Sequence, residues 1–285
     1  MKKILFVLCC SFSFLVSTQA QIKTPAPSQF CKIEQNVGLT KVTIEYSRPN
    51  VKGRELFVEV EEFGKMWRTG ANQTTKITFD DDVKLEGKDV KAGTYGLYTI
   101  PGKEKWTVML TTDLKLNGSV DKYDTANEVA RFDVMVESMP MNIETFTIDI
   151  GDIEDNGALI SLLWGTYMVP MQLDLNTDDQ VMASIETAMA GTSKADYYAA
   201  GSYYFAKEKD MNKALEYVQK ANSMGDKKFW QVYKEAEILA KMGKYKEALE
   251  ASQVSLDLAK AADYKAYIKR NEDFMKKYIG KAKAK

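Results

Sequence analysis

From Gly38 to about Leu175, apolar and polar residues alternate with a period of two. In LTKVTIEY (39–46), Val42, Ile44 and Tyr46 share one face, opposed by Thr43, Glu45 and then Ser47. That is the pattern of a strand with one face buried and the other in water. The same reading predicts strands at TTKITF (74–79), GTYGLYTI (93–100), KWTVML (105–110), ARFDVMVE (130–137), NIETFTIDI (142–150) and GALISLLW (157–164). YMVPMQLDL (167–175) predicts a last strand, in which Pro170 lacks an N–H and so demands an edge or a bulge. Between these runs stand Asp80-Asp81-Asp82, Glu86-Gly87, Pro101-Gly102, Asn117-Gly118 and Asn156-Gly157, all of them turn chemistry. IPGKEKW reads as a hairpin loop between two of the clearest strands. Short strands in succession without intervening helices predict an antiparallel β-sandwich, jelly-roll-like, over residues 21–176.

After Thr177 the period changes to that of helices. TDDQVMASIETAMA has Thr177 as a helix N-cap, two aspartates in its first turn and Gly191 near its end. Then YYAAGSYYFAKEKDMNKALEYVQKA aligns with VYKEAEILAKMGKYKEALEASQVS, and Ala214 and Ala248 lie 34 residues apart. A 34-residue period of paired helices resembles the tetratricopeptide repeat. Small residues at Ser202/Ala236 and Ala214/Ala248 would let antiparallel helices approach, with Phe205 and Leu239 filling the space between them. Gly243-Lys244-Tyr245 supplies the turn within the second copy. Asp226 and Lys260 stand where the repeat family usually has proline, and Ser252 and Ser255 weaken the second copy. A further helix (Tyr264–Tyr278) precedes a lysine-rich tail, KKYIGKAKAK, expected to fray in solvent. The fold class is therefore α+β and multidomain: a β-sandwich, then tetratricopeptide-like helices over residues 177–285.

Composition narrows the chemistry. The 285-residue chain contains no histidine, which removes the commonest general base and metal ligand. Its net charge of −1 gives no field that would gather nucleic acid. Residues 21–177 carry 17 basic and 24 acidic side chains, whereas residues 178–285 carry 20 basic and 16 acidic. The first residues are MKK, then the apolar run ILFVLCCSFSFLV, then STQA. This is a secretory signal with cleavage expected after Ala20. The apolar run has 13 residues, short of the roughly 20 that span a bilayer. An exported protein, periplasmic or secreted and without a transmembrane segment after cleavage, is the expectation. Cys9 and Cys10 leave with the signal, so Cys31 has no internal disulfide partner.

Candidate chemistry is sparse. Asp80-Asp81-Asp82 suits a turn better than a calcium site, and DIEDNG (152–157) lacks the glutamate that a calcium loop needs at its twelfth position, where Leu163 stands. Glu59, Glu61, Glu62, Asp113 and Asp149 leave a hydrolase using paired carboxylates, carbohydrate-active for instance, as the alternative function. No phosphate loop or nucleophile elbow is present, and no cofactor is expected. YSRPNVKGRELF (46–57) and GKMWRTGANQTT (64–75) bring Arg48, Arg54, Trp67, Arg68 and Asn72 into neighbouring stretches. Arginine forks suit carboxylates and phosphates, and a tryptophan face suits sugars or cations, so a glycan or small anion is the candidate ligand here. The competing reading is a pinned corner of the sandwich, with Trp67 as its plug. The leading function is a non-enzymatic binding protein whose helices dock a protein partner.

YSRPNVKGREL, FGKMWRTGANQTTKITFDDDVKLEGKDVKAGTYGLYTIPG and the following WTVML resemble a bacterial envelope family known as domain of unknown function 2911, over about residues 28–175. The resemblance implies a secretory signal, and in many members tetratricopeptide-like helices after the β-domain. It implies no activity, cofactor or catalytic residue. It does coincide with the Arg/Trp/Asn cluster.

Overall fold

A computed structural model describes residues 24–188 and 193–283. The N-terminal segment expected to be a signal, with Cys9 and Cys10, and Gly191 lie outside the described residues. The chain divides into two compact units between Leu175 and Asn176.

The first unit holds two antiparallel sheets. β1 (Gln29–Val37), β2 (Thr40–Arg48), β3 (Lys76–Phe79), β4 (Val83–Leu85), β5 (Lys88–Val90), β6 (Gly93–Ile100), β7 (Lys105–Thr111), β8 (Glu128–Met135), β9 (Glu137–Glu154) and β10 (Gly157–Asp174) follow in chain order. One sheet has the order β1-β2-β3-β6-β7-β8, and the other β5-β4-β10-β9. The period-two pattern explains which side chains go inward. Val42, Ile44 and Tyr46 of β2 join Leu97, Trp106 and Val108 from the same sheet and Phe146, Ile148, Leu162 and Trp164 from the other in one hydrophobic core. Opposed apolar faces with polar outer faces are the stable solution for two half-buried sheets.

Three elements differ from the sequence expectation. β1 pairs with β2 along its whole length, but as an edge strand it buries only Val37 fully, so its apolar alternation is faint. Glu86 and Gly87, expected as a separator, both have positive φ (48° and 70°) and turn a hairpin of three-residue strands, β4 and β5. The runs 157–164 and 167–175 form one strand, β10, whose pairing with β9 shifts register on both sides of Gly165. Pro170 falls between the stretch of β10 that pairs with β9, ending at Met168, and the stretch that pairs with β4, starting at Leu173.

β6 and β7 carry a second, smaller apolar cluster. Tyr98 and Met109 pack with Leu116, Val120 and Tyr123 from the 112–127 loop and with Met66. That loop is pinned by Asn117, whose side chain accepts from the Thr74 N–H (2.9 Å) and whose N–H donates to the Thr74 hydroxyl (2.8 Å).

The second unit holds α1 (Thr177–Ala188), α2 (Lys194–Ala206), α3 (Met211–Ser223), α4 (Phe229–Lys241), α5 (Tyr245–Ala261) and α6 (Lys265–Lys283). Thr177 is the first helical residue rather than the cap: the Gln180 N–H bonds the Asn176 carbonyl, and the Thr177 hydroxyl is buried without a partner among the described residues. Ser193 and Asp196 form a reciprocal capping box at α2, and Asp210 caps α3. Each helix packs on the next, and α2, α4 and α6 also meet one another in sequence. Gly201 of α2 lets α3 approach so closely that a Cβ there would stand 2.7 Å from Val218 and 2.9 Å from the Ala214 carbonyl. Burial recurs at the 34-residue spacing: Tyr204 and Ile238, Ala214 and Ala248, Val218 and Ser252, Ala221 and Ser255 are all buried. Ser252 and Ser255, which dilute the repeat pattern, have a role. Both bond Asn271 of α6, at 2.9 and 3.0 Å, and Asn271 is fully buried. The expected frayed tail is helical through Lys283, with Tyr278 stacked on Tyr245.

Candidate functional site

The segment from Gly64 enters the β-domain as a corner. Trp67 exchanges both backbone hydrogen bonds with Thr99 of β6 (2.7 and 2.8 Å). Its side chain is 3% exposed and stacks on Trp164 (5.3 Å between centroids), with Phe146 and Trp106 edge-on at 4.9 and 6.1 Å. The indole N–H donates to the Gly70 carbonyl at 2.9 Å, which closes the turn. Both ring faces and the polar edge are therefore engaged. Thr69, Thr75 and Thr99 complete the corner through a buried chain of hydroxyl bonds.

The other four residues of the sequence cluster are dispersed around this corner. Arg48 donates from Nε to the Phe146 carbonyl (3.0 Å) and from Nη2 to the Thr147 hydroxyl (2.5 Å), tying β2 to β9. Arg54 is exposed and bonds the carbonyls of Asn50 and Val51 in its own turn, at 2.7 and 2.9 Å. Arg68 lies against Gly118, with its Nε buried and unpartnered among the described residues. Glu61 is near Arg68, and burial pushes its carboxyl up to about 7 against the pull of that guanidinium. Asn72 is exposed, has φ 61° and donates to the Ser28 carbonyl at 3.3 Å.

The acidic candidates are tied into local structure. Asp80, Asp81 and Asp82 pair with Lys41, Thr40 and Lys91 respectively around the β3–β4 turn. Glu59 accepts from the Glu55 N–H, Glu62 pairs with Lys65, and Asp113 accepts from the Lys115 N–H.

Two concave surfaces stand out. In the β-domain, a cleft of about 370 Å³ lies between the 51–56 turn and the bulged part of the β9–β10 hairpin; among the five candidates it takes in Arg54 alone. In the helical unit, a groove of about 440 Å³ runs along α2, α4 and α6, with Phe205, Tyr233, Phe274 and Tyr278 as its aromatic surface. Two carboxylates line that groove, Glu237 and Asp273. Each is held by a lysine at 2.7 Å, Lys234 and Lys269 respectively. Lys241 on the groove is likewise paired, with Glu208 at 2.7 Å. Arg270 and Lys277 have no carboxylate partner among the described residues and instead lie over the rings of Tyr267 (5.0 Å) and Tyr278 (5.2 Å).

Residues 28–173, just over half of the chain and nearly all of both sheets, match the family model described as Protein of unknown function (DUF2911). The chain belongs to this family. No curated protein and no solved structure is detectably similar to it. The DUF2911 region contains the whole cleft, whereas the aromatic–cationic groove lies C-terminal to it.

Sequence reasoning missed both surfaces. The groove had a readable signal: Arg270, Asp273, Phe274, Lys277 and Tyr278 fall on one face at helical spacing. The cleft had none, because Asn142, Glu144 and Tyr167 are brought together only by the irregular pairing of β9 with β10. Among the described residues no helix is long and apolar enough to cross a membrane.

Proposed function

We propose that this protein is an exported, non-enzymatic binding protein whose helices form a tetratricopeptide-like docking module for a protein partner. In this reading the β-domain is jelly-roll-like only in that two antiparallel sheets enclose one core. Export rests on the N-terminal sequence pattern alone. The observation that carries the docking role is the α2–α4–α6 groove. It combines four aromatic side chains with two cations, Arg270 and Lys277, that form no ion pair among the described residues. Aromatics and arginine are the residue types that dominate protein interfaces. Unpaired cations beside them fit a peptide carrying both acidic and apolar side chains. The recurrence of burial at 34-residue spacing supports the repeat reading.

The test is fluorescence anisotropy of the full chain against a library of short acidic peptides containing aromatic or aliphatic residues. Binding that falls about tenfold in Arg270→Ala and Lys277→Ala, and weakens as salt rises, is expected. No binding, or equal binding by the variants, would refute the docking role.

A further inference from the structure

We infer that the DUF2911 domain carries a separate ligand site, the cleft between the 51–56 turn and the β9–β10 bulge, suited to a small neutral polyhydroxylated ligand such as a sugar ring. The inference is independent of the helical groove.

The cleft has an apolar floor of Val51 and Leu56 and an aromatic wall, Tyr167. Tyr167 is held edge-on by Phe57 at 4.9 Å, and Phe57 in turn stacks on Phe63 at 4.5 Å. Polar groups of both kinds rim this floor. Arg54 spends N–H groups on two main-chain carbonyls, which orients the guanidinium and leaves donors over from its five. Glu144 accepts the Lys52 N–H on Oε1 (2.5 Å), and its other oxygen bonds nothing among the described residues. The Asn142 amide and the Tyr167 hydroxyl make no hydrogen bond among the described residues. Donors and acceptors, those of Arg54 and Glu144 held in place by main-chain bonds, therefore stand side by side above an apolar surface.

That combination selects a ligand class. An anion would meet Glu144, and a cation would meet Arg54. A wholly apolar ligand would leave oriented polar groups without partners, at about 1–3 kcal/mol for each buried group. A sugar ring offers hydroxyl donors and acceptors at its edge and C–H faces for Tyr167 and the floor. About 370 Å³ is at the small end of the about 300–1,000 Å³ range of ligand sites, which suits one or two rings.

The backbone keeps the cleft open by irregularity. Gly165 has φ 59°, and a Cβ there would stand 2.8 Å from the Leu56 side chain. Register shifts flank it on both sides. Leu56–Val60 form a short π-type turn kinked at Phe57 (φ −106°, ψ 28°), and Lys52 and Gly53 both have positive φ. Bulges and π turns concentrate at functional sites because they re-aim side chains at a cost in regular pairing. Here several converge on one concavity.

The test is a glycan array of neutral mono- to tetrasaccharides, with uronic-acid and sulfated glycans printed alongside, probed with the full chain. Neutral hits are expected. Titration of the best hit should show binding weakened about tenfold in Asn142→Ala and in Glu144→Gln and unchanged in Arg270→Ala. Asn142 and Glu144 are exposed, so these variants are expected to keep the parent's melting temperature. Amide shift mapping on the unaltered protein should centre the changes on Gly53, Asn142 and Thr166. Silence across the neutral glycans, hits confined to the anionic ones, shifts centred elsewhere, or equal binding by both β-domain variants would overturn the assignment.

Discussion

Replacing Trp67 with alanine separates a plug from a displayed ring. A tryptophan side chain covers roughly 150–250 Å², and Trp67 is 3% exposed. At about 25 cal/mol per Å² its burial contributes roughly 4–6 kcal/mol. Trp164 and Phe146 would then border a cavity, and the Gly70 carbonyl would lose its 2.9 Å donor. Aromatic-to-alanine changes in cores cost about 3–5 kcal/mol, and an orphaned buried carbonyl about 1–3. These overlap, so the expected loss is about 5 kcal/mol, most of the stability of an ordinary domain. Trp67→Phe keeps the ring contacts but not the donor and should lose about 1–3 kcal/mol. The assay is urea unfolding of the full chain. The β-domain is followed by near-ultraviolet circular dichroism, to which the stacked Trp67–Trp164 pair contributes. The helical transition, followed at far-ultraviolet wavelengths, should not move. A displayed tryptophan could be removed within about 0.5 kcal/mol. A Trp67→Ala β-domain that unfolds within about 1 kcal/mol of the parent would refute the corner.

Other perturbations read other parts of the fold. Burial holds the Glu61 carboxyl at about 7, above its ordinary 4.5. The folded state therefore keeps a proton that the unfolded chain has released, and stability should fall as pH rises from about 4.5 to about 7. Discounted for partial exposure, Glu61→Gln should raise β-domain stability at pH 8 by about 1–2 kcal/mol and flatten that slope; an unchanged pH profile in denaturant titrations would count against it. Gly201→Ala forces a methyl group into Val218 and the Ala214 carbonyl, and should lower the helical transition by about 1–3 kcal/mol, measured by far-ultraviolet melting. Asn271→Ala strips Ser252 and Ser255 of their shared partner. It should lower the same transition by about 2–4 kcal/mol, with amide exchange rising first in α6.

The parts of the fold that were readable are those where local pattern and tertiary burial agree. β2 and β3 alternate and bury what the alternation says they bury. β6 and β7 read as strands from their β-branched and aromatic content and bury residues of both faces, one set in the core and the other in the Tyr98–Met109 cluster. β1 was invisible because an edge strand with Lys32 and Glu34 facing out has too little buried surface to impose a pattern. β10 read as two strands because Gly165 and Thr166 look like a turn, whereas they are the bulge that bends one strand. The helical character of this region was legible, and Ala214 and Ala248, 34 residues apart, are both buried, but the serines in the second stretch are explained only by Asn271, which a different helix supplies.

The candidate site was the least legible part, and the reason is general. A tryptophan amid glycine and arginine looks alike in sequence whether its ring faces water or three other aromatic rings, because those rings come from distant strands. Trp67 spends its surface on Trp164, Trp106 and Phe146 and its N–H on Gly70. A family pattern built around it thus identifies the corner that closes the sandwich, and says nothing about a ligand. Residues free to recognise something are those with oriented but unspent polar groups beside a partly exposed ring. Arg54 and Glu144 beside Tyr167 meet that description in the cleft, as Arg270 and Lys277 beside Tyr278 do in the groove. The proposed binding should therefore track substitutions at those positions, while substitutions in the tryptophan corner should change stability first and binding only through it.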